Sequence, residues 1–315
     1  IRRPPRCTLF RYTTPFRSEC PGVGMPPRTR VPLFNRLPMT RIRMAIARSI
    51  YRGLRLVWRR DRYRICRSGV YYEVDLSEAL DLSLFLFGHF QEHVTNARYF
   101  SLPANGVVLD VGANFGLMSL RFAQLAPLGK VYAFEPTEYA FGKLMRNLSL
   151  NSELAARITP VQAFVSDAAT RDQPIPAYSS WKVDGRPVEA HPVHGGLLRS
   201  ANSAGMTTID DFCQERRIGR VDLIKVDTDG HEFQVLRGAA RTLETHRPCV
   251  IFEVGMYLMD ERGVTFEEFI EYLTPLGYGL LNSKNGHAVT SQNYWQEIPL
   301  YATTDLLAIP SRPIQ

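Results

Sequence analysis

The ten residues V-V-L-D-V-G-A-N-F-G, at positions 107–116, decide the fold of this chain. An apolar, β-branched run contains Asp110 near its end, Gly112 follows it, and Gly116 stands where an amphipathic segment begins. Such near-continuous hydrophobicity is typical of a strand buried on both faces, as in a parallel sheet covered by helices. A second apolar run, V-Y-A-F, ends in Glu135. The pattern predicts a strand, a tight glycine turn, a helix and a second strand that ends in a carboxylate.

The spacing D-x-G-x-x-x-G differs from the G-x-G-x-x-G fingerprint of dinucleotide-binding folds, because an acidic residue precedes the turn and a third glycine is missing. Two carboxylates without a phosphate cradle suit a cationic, ribose-containing ligand such as S-adenosylmethionine. We expect Glu135 to accept hydrogen bonds from the ribose hydroxyls and Asp110 to orient the ammonium of the methionine end, directly or through water. Gly112 would let the backbone approach the ligand, and Gly116 would permit close packing. Alternatively, all four residues only cap strands and form turns.

From Gly106 onward, strand-like and helix-like segments alternate, which is typical of α/β folds. We predict a doubly wound, seven-stranded, mostly parallel sheet. The last strand follows a Pro-containing link without helical pattern, so we expect it to enter the sheet antiparallel. The predicted strands cover 107–111, 130–134, 158–165, 221–226, 248–254, 277–281 and 302–308, and the predicted helices lie near 116–126, 137–151, 208–216, 232–245 and 265–274.

Residues 1–60 form an Arg- and Pro-rich leader with fifteen Arg, no Lys and a single acid, Glu19. We expect disorder apart from one amphipathic helix over 41–58, which would lie on a membrane surface or dock on the catalytic domain. A basic arm of this kind can also contact nucleic acid. The leader is therefore either translated upstream sequence without a fold or a functional arm.

Residues 61–105 are expected to form a hairpin that turns at Gly69 and a mostly helical extension that breaks near Gly88. The catalytic domain would then occupy 106–315. The five cysteines include no C-x-x-C pair, so neither a zinc ribbon nor a redox dithiol is indicated. No apolar run reaches the roughly 20 residues of a membrane span, and we expect a cytoplasmic localisation.

Acidic residues collect at the ends of the fourth and fifth predicted strands, where open α/β sheets bind ligands. The runs V-D-L-I-K-V-D-T-D-G-H-E and C-V-I-F-E-V-G would bring Asp227, Asp229, His231 and Glu253 to one edge. The Asn/Asp-Pro-Pro-aromatic run of many amine methyltransferases is missing here, so a hydroxyl acceptor is favoured. Asp227 or His231 would be the general base, although His231 also suits a surface or packing role. Mg²⁺ between the three carboxylates is a less favoured alternative.

Other polar residues near this edge have structural interpretations. Glu232 is placed either to act at the site or to cap free amides at a helix start. Lys225, inside an apolar strand, would pair with a neighbouring carboxylate to stay charged. Residues 170–206 interrupt the alternation and predict a functional loop or small hairpin over the site. Its His191 and His194 would contact substrate or be ordinary loop residues.

Two blocks together resemble the FkbM-type methyltransferases, a branch of the class I S-adenosylmethionine-dependent enzymes. They are V-V-L-D-V-G-A-N-F-G-L-M-S-L with V-Y-A-F-E-P, and T-T-I-D-D-F with V-D-L-I-K-V-D-T-D-G-H-E-F-Q-V-L-R-G-A. The resemblance implies a Rossmann-like fold and O-methylation of a hydroxyl on a sugar, a glycan or a natural product. It implies an adenine contact for Asp167 and assigns cofactor binding to Asp110, Gly112, Ala113, Asn114, Gly116, Glu135 and Asp167.

We therefore predict an S-adenosylmethionine-dependent O-methyltransferase that works without a metal. One rival is an NAD(P)-dependent oxidoreductase, which the missing glycine disfavours. Another is a nucleic-acid-binding protein that uses the Arg-rich arm on an inactive methyltransferase scaffold.

Overall fold

The computed structural model describes residues 39–58, 60–88, 91–95, 99–169, 177–185 and 190–311. Most of the predicted leader, residues 1–38, lies outside the described residues, so its predicted disorder stays untested.

Strands and helices alternate along the described chain. The strands are β1 (Arg62–Arg67), β2 (Val70–Asp75), β3 (Val107–Val111), β4 (Lys130–Phe134), β5 (Ile158–Val161), β6 (Ala163–Val165), β7 (Tyr178–Ser180), β8 (Leu197–Leu198), β9 (Gly205–Thr207), β10 (Leu223–Val226), β11 (Cys249–Val254), β12 (Tyr278–Asn282) and β13 (Thr304–Pro310). The helices are α1 (Met39–Val57), α2 (Ala79–Phe87), α3 (Glu92–Thr95), α4 (Leu117–Leu125), α5 (Glu138–Ser149), α6 (Ser152–Ala155), α7 (Ile209–Glu215), α8 (Glu232–Arg237), α9 (Ala240–Thr245), α10 (Met256–Arg262), α11 (Phe266–Leu273) and α12 (Tyr294–Glu297).

The central sheet has seven strands in the order β12-β13-β11-β10-β3-β4-β5. The five strands from β11 to β5 are parallel, whereas β13 runs antiparallel to both β11 and β12. The predicted fold class and the antiparallel entry of the last strand are thus confirmed. Helices cover both faces, because Val108 belongs to one buried hydrophobic cluster and Leu109, the next residue of β3, belongs to another.

Two predicted elements are split in the structure. The strand over 158–165 breaks at Gln162, so that β6 leaves the main sheet and pairs with β9. The helix over 232–245 is interrupted at Gly238, where a Cβ would come 2.0 Å from the carbonyl oxygen of Ser166. Helix α10, which no sequence pattern indicated, begins directly after Gly255.

The N-terminal extension packs onto the sheet domain through polar contacts. The hairpin β1–β2 forms as predicted, with Gly69 at a φ of 77°, and α2 ends at Gly88 with a φ of 75°. The buried ammonium of Lys143 in α5 contacts both carboxylate oxygens of Asp81 in α2, at 2.8 and 2.7 Å. Because both side chains are almost fully buried, this pair fixes the extension relative to the domain.

The predicted amphipathic helix is present as α1. Met44 and Tyr51 are buried in the hydrophobic cluster beneath it, and Ala47 and Leu54 pack against that cluster. One face of α1 therefore packs on α2 of the extension and, through Met44, on the catalytic domain beside Gly195. Within the described residues, every helix is too short or too polar to traverse a bilayer.

Candidate active site

A cavity of about 310 Å³ opens beyond the carboxyl ends of β3, β4, β10 and β11. Its walls come from the turn after β3, the first residues after β10, the segment around β7 and β8, and α1. This position is the one expected for a ligand in an open α/β sheet. Among the sequence-predicted site residues, those lining the cavity are Gly112, Ala113, Asn114, Glu135, His194, Lys225, Asp227, Asp229, His231 and Glu253.

The glycine turn is held against two neighbouring strands. The amides of Gly112 and Ala113 both donate to the carbonyl oxygen of Phe134, at 3.0 and 2.8 Å. A Cβ on Gly112 would come 1.8 Å from the carbonyl oxygen of Asp227, so the close approach at this glycine is to the backbone beyond β10. Gly112 also lines the cavity, and its predicted approach to a ligand stays a prediction. Gly116 permits close packing as predicted, since its Cβ would come 2.5 Å from Leu144.

Glu135 is nearly buried in the cavity wall, and hydrogen bonds fix both of its oxygens. Oε1 accepts from the amide and the hydroxyl of Thr137, at 3.0 and 2.6 Å, and Oε2 accepts from the amide of Asn114 at 3.0 Å. Burial raises the pKa of Glu135 to about 6, while these hydrogen bonds favour its charged form. These contacts present an oriented carboxylate at the end of β4, with one lone pair on Oε2 left to accept a further hydrogen bond.

Asp110 is fully buried below the turn and does not line the cavity. Its Oδ2 accepts from the hydroxyl of Ser119 at 2.5 Å, and its Oδ1 lies 3.5 Å from the ammonium of Lys225. Lys225 also donates to the carbonyl oxygen of Gly112 and lies 3.2 Å from Oδ2 of Asp227. The predicted pairing of Lys225 is confirmed, whereas a direct contact of Asp110 with a ligand finds no support in this geometry.

Asp227 and Asp229, after β10, and Glu253, in β11, form an acidic wall of the cavity. Burial, followed by the negative charges of Asp227 and Glu232, raises the pKa of Asp229 well above its usual value. Burial, followed by the charges of Asp227 and Asp305, does the same for Glu253. In the described residues, no three His, Cys, Asp or Glu side chains are grouped as metal ligands, so the alternative Mg²⁺ site finds no support.

Glu232 organises the loop that carries this wall. Its Oε1 accepts from the amide and hydroxyl of Thr228, at 2.7 and 3.0 Å, and from the amide of Gly230 at 3.3 Å. Asp229, between them, has a φ of 51°. Glu232 therefore caps the free amides of Thr228 and Gly230 just before α8. This agrees with the structural one of its two interpretations. His231 is the residue that precedes α8 and lines the cavity.

Asp167 lies beside the cavity rather than in its wall. Its Oδ2 is 3.7 Å from a guanidinium nitrogen of Arg237, and its Oδ1 accepts from the hydroxyl of Ser166, which does line the cavity. The adenine contact implied for Asp167 stays a prediction.

The described parts of the 170–206 insertion place a small hairpin, β7–β8, against the cavity. Tyr178, Trp181 and His194 line it, and the rings of His191 and His194 stack at 3.9 Å. Burial lowers the pKa of His194 to about 3, so its imidazole is neutral at physiological pH. A cavity lined by both aromatic rings and acidic side chains is suited to hold a flat or ring-shaped acceptor.

Glu78, just before α2, holds this hairpin in place. Its carboxylate accepts from the hydroxyls of Tyr139 and Ser180, at 2.7 and 2.8 Å, and from the amide of Trp181 at 2.8 Å. The side chain is 3% exposed. Since the sequence separation exceeds a hundred residues for Ser180 and Trp181, no local pattern pointed to Glu78.

The helix α1 supplies a further wall that the sequence did not indicate. Arg43 and Met44 line the cavity. The helical periodicity predicted the helix itself, but its place beside the site depends on tertiary packing, which periodicity does not encode.

Comparisons with known proteins agree with this architecture. The chain is 28% identical to methyltransferase sdnD of Sordaria araneosa over 165 residues, which are 44% of this chain and 62% of sdnD. It is 28% identical to the 2-O-methyltransferase NoeI of Sinorhizobium fredii over 150 residues, which are 45% of this chain and 60% of NoeI. It is 22% identical over 139 residues to the hexuronic acid methyltransferase AglP of Haloferax volcanii, with 44% of this chain and 52% of AglP covered.

The chain thus spans about three fifths of the length of the first two relatives. The crystal structure of methyltransferase FkbM from Methylobacillus flagellatus has a TM-score of 0.42 at 16% identity, and the match covers 68% of this chain and 47% of that one. The family model of the methyltransferase FkbM domain matches residues 110–280, more than half of the chain. The chain belongs to the FkbM family of methyltransferases.

Proposed function

We propose that this protein is an S-adenosylmethionine-dependent O-methyltransferase that acts on a carbohydrate hydroxyl. The observation that carries the proposal is the Glu135 carboxylate, which three hydrogen bonds fix in the cavity wall beside the glycine turn. Family membership supports methyl transfer from S-adenosylmethionine.

The residues present fit this cofactor. Glu135 keeps one lone pair, on Oε2, to accept from a ribose hydroxyl, and the turn residues Ala113 and Asn114 form the wall next to it. Phe164 and Val165 give an apolar surface for the adenine base, and Asp227 offers negative charge to a cationic methionine end. Among the other predicted cofactor residues, Asp110 and Gly116 would act indirectly, by shaping the turn. When bound, the cofactor supplies an electrophilic methyl group.

The protein's own contribution is positioning and proton removal. Asp227, Asp229 and Glu253 line the same cavity as Tyr178 and Trp181, so an acceptor that packs on these rings would lie near the acidic wall. Asp227 or His231 takes the proton of the attacking hydroxyl. Holding the reacting atoms in a near-attack arrangement provides most of the rate enhancement.

The carbohydrate acceptor is supported by the relatives. NoeI is named as a 2-O-methyltransferase and AglP as a hexuronic acid methyltransferase. Aromatic side chains at the cavity, Tyr178, Trp181 and Tyr257, are suited to pack against sugar rings. A natural-product hydroxyl is the second acceptor class.

Calorimetry with S-adenosylmethionine and with NADH tests the cofactor. We expect saturable binding of the first and none of the second, and a preference for NADH would refute the proposal. Transfer of a radiolabelled methyl group to a panel of mono- and oligosaccharides, followed by mass spectrometry of the products, tests the acceptor. Labelling of amines alone would refute O-methylation.

The base is identified with two matched variants. Asp227→Asn and His231→Gln each keep the side-chain size and remove the basic group. We expect one of them to lower kcat at least about a hundredfold, measured with the enzyme saturated with cofactor so that a loss of cofactor affinity does not enter the comparison. If neither lowers kcat, the base is not among these residues.

A further inference from the structure

Helix α1 has two apolar faces, and only one of them is covered. Met44, Ala47, Tyr51 and Leu54 recur at intervals of three and four residues and face the core. A second series, which we name the outer stripe, consists of Ile42, Ile46, Ile50, Leu56 and Val57. Since 100° separates successive residues of an α-helix, the two series lie on opposite sides.

Four of the five residues of the outer stripe are exposed to solvent, and Ile50 is half-buried. Ile46 is 54% exposed, Leu56 88% and Val57 75%. Trp58, directly after the helix, is 38% exposed and contacts Phe85 edge-on at 5.6 Å. Phe87, at the end of α2, is 62% exposed. Exposed apolar side chains along one side of a helix indicate a surface that an apolar partner covers.

The charge around the outer stripe indicates what kind of partner covers it. Residues 39–60 contain seven Arg and no Asp or Glu. The preceding residues 1–38 are themselves net positive, with eight Arg and one Glu, so they cannot neutralise α1. The partner that complements both features is apolar within and negatively charged at its surface.

We propose that α1 is an interfacial helix that docks the enzyme on an anionic membrane. The outer stripe and Trp58 enter the boundary between headgroups and acyl chains, while Arg52 beside the stripe contacts anionic headgroups. The helix lies in the plane of the membrane and does not cross it, in keeping with its length and polarity. Met44 lies on the inner face of α1 and also lines the cavity. Docking of α1 would therefore hold the cavity close to the membrane surface.

Flotation of the full chain with vesicles tests this proposal. We expect the protein to float with vesicles of phosphatidylcholine and phosphatidylglycerol and not with phosphatidylcholine alone. The double variant Ile46→Gln/Leu56→Gln should lower the partition coefficient at least about tenfold. The matched control is Leu128→Gln, since Leu128 is 79% exposed and lies outside α1. Arg52→Gln should weaken binding, compared with Arg217→Gln as the control for lost charge.

Fluorescence quenching by brominated lipids gives an independent readout. We expect quenching in the intact chain and its loss in Trp58→Phe, which would place the end of α1 in the headgroup region. Failure to float with anionic vesicles, unchanged binding by the stripe variant, or no quenching of Trp58 would overturn the proposal. So would tight binding to RNA that salt abolishes, together with no vesicle binding, because this is the behaviour of a nucleic-acid arm. None of these results depends on methyl transfer.

Discussion

Gly112 and Asp227 touch through their backbones, and this contact joins the turn after β3 to the acidic wall after β10. A Cβ at Gly112 would lie 1.8 Å from the Asp227 carbonyl oxygen, and the glycine has a φ of 79°. We expect Gly112→Ala to be destabilising by at least about 2 kcal/mol, because both the left-handed backbone and the contact oppose a side chain. Urea denaturation measures the loss. Gly53→Ala is the control, since nothing lies within 4 Å of a Cβ there; equal effects of the two would contradict the assigned contact.

Removal of the Glu135 carboxylate should weaken cofactor binding. We expect Glu135→Ala to lower the affinity for S-adenosylhomocysteine by at least ~1–3 kcal/mol, because ribose hydroxyls lose a charged acceptor. Calorimetry measures it, and Glu244→Ala, at an exposed position of α9, is the control. An unchanged affinity in a folded Glu135 variant would rule out the ribose contact.

Lys225 should be critical for stability. Its ammonium lies between Asp110 and Asp227, and these carboxylates raise its pKa although burial alone would lower it. We expect Lys225→Met to cost about 3–5 kcal/mol, because the buried Asp110 loses its counter-ion. Adding Asp110→Asn should restore part of the loss in a double-mutant cycle. Lys284→Met, at an exposed site, is the matched control, and additive effects would argue against the pairing.

The stability of the protein should depend on pH through Glu232. Burial is the main cause that raises its pKa from 4.5 to about 7. The folded state therefore keeps a proton that the unfolded state loses above about pH 4.5. The free energy of unfolding should fall as the pH rises from about 4.5 to 7, by on the order of 3 kcal/mol at most.

Thermal unfolding of Glu232→Gln between pH 4.5 and 8 checks this prediction. The amide oxygen can still accept from Thr228, so the loop is kept while the titration is removed. We expect a flatter dependence of Tm on pH than in the parent protein. A profile with the same slope would show that another group titrates.

The aromatic wall should govern acceptor recognition. We expect Trp181→Ala to raise KM for the acceptor at least about tenfold, because the ring supplies apolar contact area in the cavity. Cofactor affinity, measured in the same preparation, should stay within twofold. A parallel loss of cofactor binding would instead indicate a structural role.

The sequence predicted the central sheet closely because its information is local. The β3 and β4 bounds agree with the predicted 107–111 and 130–134, since each strand is a buried apolar run that ends in turn residues. The pairing of Lys225 also followed from one physical rule, the cost of an isolated buried charge.

Contacts between distant segments explain the differences. Gly238 interrupts a helix because the Ser166 backbone occupies the space where its side chain would be. Helix α10 has no side-chain cap at Gly255, so its start carries no sequence signal. Partners far away in the chain also explain three features that the sequence did not predict. Asp110 pairs with Lys225 below the turn, Glu78 binds the hairpin, and the inner face of α1 lies at the cavity.

The hydrogen bonds of Glu78 join the N-terminal extension to the hairpin at the cavity. A carboxylate outside the family-matched segment accepts from the amide of Trp181 at the cavity, while the glycine turn and Glu135 lie inside that segment. A substitution in the extension can therefore reshape the aromatic side of the cavity while every residue of the sheet and of the glycine turn stays the same.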